Sequence, residues 1–233
     1  MNPNNKLIVP EVNGHLIEAM SSPEVIANPN CSTIQLMLPL NALKPFGLKK
    51  VVVSTYQAVS GAGTPGIKEL IDQNRSGDTD VPAKVFAKPI SYNCIPQIGS
   101  FKENSFTAEE LKLMRESRKI LDLPELNVSA FAVRVPVING HSETVWLTFD
   151  QDISGDQIID NLNKQLGLEV FPNPTDFDTP KERSKQHDVS ISRIHQDLYN
   201  PNTWLMWVVG DNLLKGAALN GFQIAEKIVQ YHS

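Results

Sequence analysis

Cysteine is scarce in this chain. Two residues, Cys31 and Cys94, in 233 give neither a disulfide framework nor a zinc-ligand spacing. Long apolar runs are missing too: none approaches the roughly 20 residues that a membrane-spanning helix needs. The opening "MNPNNKLIVPEVNG" has no basic start followed by an apolar stretch, so no signal peptide is expected. Basic residues never run beyond a dipeptide, and the formal net charge is −5, which argues against nucleic acid or an anionic membrane as partner. Internal repeats and low-complexity segments are absent. What remains is ordinary soluble composition, 41% apolar and 20% charged, in a chain long enough for one large domain or two small ones. A cytoplasmic protein with reduced thiols is expected.

The pattern of elements alternates. "KLIVPEV" reads as a short apolar strand, and "CSTIQLMLPLNALKPF" as a helix until Pro45. "KKVVVSTYQAV" is a β-branched strand. "TAEELKLMRESRKILDL" is the clearest helix, with capping-box spacing from Thr107 to Glu110. "NVSAFAVRVPVI" and "ETVWLTFDQ" alternate as two strands around the turn "NGHS". "SGDQIIDNLNKQLG" reads as a helix closed by Gly167, "TWLMWVVG" as a strand, and "LLKGAALNGFQIAEKIVQYH" as a long closing helix. Strands alternating with helices indicate an α/β or α+β layer fold with a mixed sheet and helices packed on one face.

Gly61, Gly63 and Gly66 in "SGAGTPG" spell G-x-G-x-x-G between a strand and a helix. A dinucleotide fingerprint also needs an acidic residue ending a second strand about 20 positions on. Asp78 and Asp80 stand near that distance, but in a segment that reads as loop. A Gly-rich turn joining strand to helix is the favoured reading of the three glycines.

Several residues could do chemistry. Cys31 follows Asn30, a good N-cap, so its thiol falls in a helix first turn, where N–H groups favour a thiolate. A buried structural cysteine is the competing reading. Cys94, in "SYNCIPQIG", reads as packing. His141 occupies the turn between two strands, presented at a sheet end as acid–base work requires; a surface histidine fits the same position. Arg134 shares a strand face with Ala132, opposite the valines, and could grip a carboxylate bidentately or pair at the surface. Glu109 and Lys112, at i and i+3, share a helix face, where a solvated ion pair is the simplest reading.

Together these segments resemble the aspartate-β-semialdehyde dehydrogenases over nearly the whole chain. The matching stretches are "VPEVN", "NPNCSTIQ", "STYQAVSGAG", "NCIPQIG", "EELKLMRESRKIL", "VRVPVINGHSETV" and "GDNLLKGAALN". The resemblance implies a glyceraldehyde-3-phosphate-dehydrogenase-like catalytic domain. It also implies NADP(H)-dependent, reversible reduction of aspartyl-4-phosphate to aspartate semialdehyde and phosphate, a step toward lysine, threonine, methionine and diaminopimelate. It makes Cys31 the nucleophile and His141 the acid–base residue. Arg134, Glu109, Gln57 and Asn30 become substrate contacts and Lys112 a phosphate ligand. Ser60, Gly61 and Asn212 meet the reactive end of the cofactor, and no metal is required. Residues 1–30 then resemble the end of a Rossmann half, 31–210 a catalytic and dimerisation domain, and 211–233 a helix returning to the cofactor domain. The family's pyrophosphate-binding turn has no counterpart here, so weak NADPH binding by this chain alone is expected. A homodimer or homotetramer is implied; a role only as an assembly partner of full-length subunits is the alternative.

Overall fold

A computed structural model describes residues 5–22, 24–76 and 82–232. Asp78 and Asp80 lie outside the described residues. The first elements are short: β1 (Lys6–Leu7), α1 (Pro10–Asn13), α2 (His15–Glu18) and β2 (Ile26–Ala27). They lead to α3 (Cys31–Leu43), β3 (Leu48–Gln57), α4 (Gly63–Ser76), α5 (Ala108–Leu121), β4 (Asn127–Arg134) and β5 (His141–Phe149). The chain continues through α6 (Gly155–Lys164), β6 (Leu168–Val170), α7 (Pro180–Arg183), β7 (Val189–Gln196), β8 (Thr203–Gly210) and α8 (Leu219–His232).

Six strands form one mixed sheet in the order β4-β3-β5-β8-β7-β6, while β1 and β2 pair in parallel as a separate small sheet. Strand alternation sets the two faces. Val51 and Val53 of β3, Val145, Leu147 and Phe149 of β5, and Met206 and Val208 of β8 enter the core. There they meet Ile34, Met37, Leu38 and Leu40 of α3 and Leu113 and Ile120 of α5. Ten of the thirteen residues of α3 are buried, so it is an internal helix rather than a surface one. The other sheet face is left half open, with Tyr56, Trp146, Leu205 and Trp207 partly exposed and Phe131 more so.

Local signals act as the sequence suggests at several ends. Asn30 caps α3 by accepting the N–H groups of Ser32 and Thr33. Thr107 and Glu110 form a reciprocal capping box on α5, as do Ser154 and Gln157 on α6. A side-chain cap of this kind contributes about 1 kcal/mol.

Other expectations are corrected. The apolar start is strand only at Lys6–Leu7, because Pro10 opens a helix, where its missing N–H costs nothing. β6 and β7 add strands that the alternation did not mark. The closing helix is interrupted: Leu214–Ala218 is a π-turn, with Gly216 and Ala218 N–H groups reaching five residues back to Asp211 and Leu213. The largest correction concerns the "NGHS" turn. β4 and β5 are not a hairpin, since β3 lies between them, parallel to β4 and antiparallel to β5. The connection therefore crosses the end of β3, and register brings that end together. Gln57 pairs with Arg134, Tyr56 with Ser142, and His141 with Gly210.

Candidate active site

This sheet end meets the N-terminus of α3. The Asn30 cap both starts that helix and ties it to α5: its Nδ2 donates to Glu109 Oε1 at 2.7 Å, and its backbone N–H donates to Glu116 Oε2 at 2.8 Å. Gln57, at the end of β3, donates to the same Glu109 oxygen at 3.2 Å. Two expected site residues thus converge on the carboxylate of a third. Lys112 is exposed one turn along α5 and, among the described residues, forms no ion pair with Glu109. Its charge bears on Glu116, whose carboxyl burial nonetheless raises.

Arg134 is 5% exposed, so the surface-pair reading falls away. Its Nη1 donates to the Ala58 carbonyl at 2.5 Å, and the Phe86 ring lies 5.7 Å from the guanidinium carbon. The N–H of the same Ala58 donates to His141 Nδ1 at 3.1 Å. One residue's backbone thereby fixes both the guanidinium and the imidazole. Since Nδ1 accepts, the neutral ring carries its proton on Nε2. That nitrogen has no partner and is fully buried. It faces Gly61, where an added Cβ would lie 3.2 Å from Nε2 and 2.8 Å from Arg134 Nη1. Gly61 is therefore required by space. His141 was expected on an exposed turn; instead it begins β5 with no exposure, because the crossing over β3 folds the loop onto it.

The electrostatics follow from this enclosure. Burial, then the charge of Arg134, pushes the His141 imidazole down to about 3, so it is neutral near pH 7. Cys31 is partly exposed, yet desolvation and then the Glu109 carboxylate push its thiol up to about 12. The thiolate expected from the helix terminus is thus corrected. Helix N–H groups and Arg134 act in its favour, but burial and a like charge prevail. Arg134 and His141 meet at Gly61 and share the Ala58 backbone, and the charge of Arg134 bears on both Cys31 and His141.

On the other side, Asn212 and Ser60 are joined. Asn212 Nδ2 donates to Ser60 Oγ at 2.9 Å, and Asn212 Oδ1 accepts the Gly140 N–H at 2.9 Å. Nine of the ten expected site residues are linked by these contacts and charges, while Lys112 stands exposed one turn along α5.

Sequence reasoning missed several contributors. Ala58 acts through its backbone and leaves no residue-type signal. Glu116 could have been found, being on the face that carries Glu109 and Lys112. Gly216 sits where a Cβ would lie 3.0 Å from that of Cys31, and glycine inside a helical pattern was its only mark. The three glycines of "SGAGTPG" are also explained locally. Gly61 yields to the site, Gly63 has φ +74°, and a Cβ at Gly66 would meet the Val59 carbonyl at 2.6 Å. They are spent on packing and a turn. Among the described residues no grouping of three or more His, Cys, Asp or Glu could hold a metal, and no helix is long and apolar enough to cross a membrane.

A half-buried cysteine at a helix start, an enclosed imidazole and a buried guanidinium thus gather at one end of a mixed sheet. The pattern described as "Semialdehyde dehydrogenase, dimerisation domain" matches residues 37–215. Aspartate-semialdehyde dehydrogenase of Bacillus subtilis (strain 168) is 42% identical over 98% of this chain and 69% of its own. The crystal structure of aspartate semialdehyde dehydrogenase II of Vibrio cholerae, complexed with ASA, superposes with a TM-score of 0.92 at 38% identity, covering 98% of this chain and 69% of that one. The enzyme of Candida albicans, solved with NADP, gives 0.72 at 25% identity over 98% of this chain and 67% of its own. The chain belongs to the aspartate-semialdehyde dehydrogenase family, and its fold is the glyceraldehyde-3-phosphate-dehydrogenase-like catalytic domain.

Proposed function

We propose that this chain carries the chemistry of NADP(H)-dependent reduction of aspartyl-4-phosphate to aspartate semialdehyde and phosphate, with Cys31 as nucleophile. The observation that carries the reading is the unpartnered, fully buried Nε2 of His141, set against Gly61 and Arg134, whose charge also acts on Cys31. The Cys31 sulfur attacks the acyl carbon, the bond to phosphate oxygen breaks, and the thiol proton leaves with the phosphate. A thioester remains on Cys31. Splitting the reaction this way replaces one difficult step by two easier ones. Arg134 offers its guanidinium to the substrate carboxylate, and Glu109, held by Asn30 and Gln57, faces the amino group. Lys112 meets the phosphate.

His141 Nε2–H is aimed where the carbonyl oxygen becomes negative. A donor fixed in advance in a water-poor site stabilises that charge without reorganisation. The proton that completes the hemithioacetal hydroxyl comes from solvent, while the neutral His141 keeps its Nε2–H as the donor to that oxygen. When the carbon–sulfur bond breaks, the hydroxyl proton returns to sulfur and the aldehyde leaves.

The residues present fit the reactive end of the cofactor, because a buried His141 Nε2 without a partner stands against Gly61 and the joined Ser60 and Asn212 lie beside it. Ser60, Gly61 and Asn212 would hold it there, and NADPH, when bound, supplies the hydride to the carbonyl carbon. The domain division at residues 30 and 210, and the flux toward lysine, threonine, methionine and diaminopimelate, belong to the same proposal. The open sheet face bearing Tyr56, Phe131, Trp146 and Trp207 is the surface for a homodimer, since exposed apolar area of this kind marks a protein interface. Incubation with aspartyl phosphate followed by mass spectrometry is expected to show an acyl adduct on Cys31 and none in Cys31→Ser. An adduct-free Cys31 would overturn the reading.

A further inference from the structure

One buried titratable group, Glu143, has no part in this chemistry. It lies two residues after His141 on the same face of β5, with no exposure, and neither carboxyl oxygen has a well-formed hydrogen bond. Its register neighbours, Thr55 on β3 and Val208 on β8, carry no charge. Burial therefore holds the carboxyl well above the usual carboxylate range, and the one group opposing that is Gln35. A protonated carboxyl is a hydrogen-bond donor as well as an acceptor.

Gln35 belongs to α3, four residues beyond Cys31 and so on the same helix face. Its Nε2 donates to the His141 carbonyl at 3.3 Å, while its Oε1 has no partner. That oxygen lies so near Gly210 that a Cβ there would be 2.8 Å away, and Gly210 is the register partner of His141. The amide is thus wedged between the helix carrying the nucleophile and the strand that begins with the imidazole. Beside it stand a buried carboxyl that can donate and an amide oxygen that can accept. A buried polar group left without a partner in a core costs stability.

We propose that Glu143 and Gln35 form a strut between α3 and β5, making Glu143 a positioning residue that keeps Cys31 and His141 in register with one another. The inference rests on the roles given above to those two residues. It explains why a carboxyl stands where the rest of the strand face, from Val145 to Phe149, is apolar.

The test uses the full chain with Cys94→Ser, so that Cys31 is the remaining thiol. Alkylation of Cys31 by iodoacetamide, the His141 ring nitrogen signals in long-range proton–nitrogen spectra, and the thermal midpoint are followed together. Glu143→Gln keeps a donor and should alkylate within about twofold of the parent, whereas Glu143→Leu should slow Cys31 by roughly tenfold or more. Glu143→Leu should also mix the two His141 tautomers while leaving the midpoint unchanged or higher. A merely structural glutamate would instead lower the midpoint and leave both site readouts alone. If Glu143→Leu does not fold, Gln35→Met must give the same slowing and mixing. Parent-like alkylation and a single Nε2–H tautomer in the folded variant would overturn the strut. Because iodoacetamide needs no substrate, that failure is separable from failure of the acyl-phosphate reaction, which Cys31→Ser reports.

Discussion

Two buried polar clusters lie back to back in this molecule, and adjacent residues serve them. Lys215 points into one. Its Nζ meets both Glu11 oxygens at 2.7 and 2.6 Å, Gln223 Oε1 at 2.8 Å and Asn220 Oδ1 at 3.3 Å. Gly216, next along the π-turn, approaches Cys31 in the other. There His141 Nε2, one oxygen of Glu116 and both of Glu143 are left without partners. Burial alone does not separate the clusters; satisfaction does. The charge of Lys215 is matched on every side, which ties the N-terminal segment to the start of α8 and leaves nothing to react. The unmatched groups around Cys31 cost folding free energy, and among them the His141 Nε2–H is the donor offered to a substrate.

The comparison breaks most readily at the imidazole. His141→Ala is expected to slow acylation of Cys31 by aspartyl phosphate roughly 10²–10³-fold, the usual cost of losing one fixed oxyanion donor, and to lower the thermal midpoint because it leaves a cavity and strands the Ala58 N–H. Stopped-flow or quenched mass spectrometry measures it, and a parent-like rate would place the oxyanion donor elsewhere. In the satisfied cluster the effect should fall on stability. Lys215→Met strands the Glu11 carboxylate and should cost about 3–5 kcal/mol in denaturant unfolding. Adding Glu11→Leu should recover most of that loss. A double variant no better than the single one would show that the ion pair is not what holds the segment.

The smallest effect concerns pH. The folded state holds His141 down at about 3, against 6.5 for the free group, so between those values the unfolded chain binds more protons. Stability is complete above about 6.5 and is lost as pH falls toward 3. Thermal midpoints across that range should fall more steeply for the parent than for His141→Ala. Parallel slopes would mean that the imidazole is not buried as described.

Much of the fold was legible because local signals and periodicity agree. Asn30, Thr107 and Ser154 announce helix starts, and the alternation of β3, β4, β5 and β8 states which side faces the core. Cys31, His141, Arg134, Glu109 and Lys112 were legible as candidates, whereas Asn30, Gln57, Ser60, Gly61 and Asn212 were named as site residues only through the family resemblance. Their environment was not. Nothing near "NGHS" tells that its flanking strands are separated by a third, so His141 was expected exposed and is fully buried. Nothing in "NPNCSTIQ" tells that Glu109, far along the chain, opposes a thiolate more than the helix terminus favours one.

The chain by itself determined its helix caps, its strand faces and the residue types available for a thioester reaction, since these depend on neighbours within a turn or two. Only the tertiary structure decided protonation, tautomer and access. Those are set by desolvation and by charges brought together across β3, α5 and the π-turn, at separations no local pattern encodes.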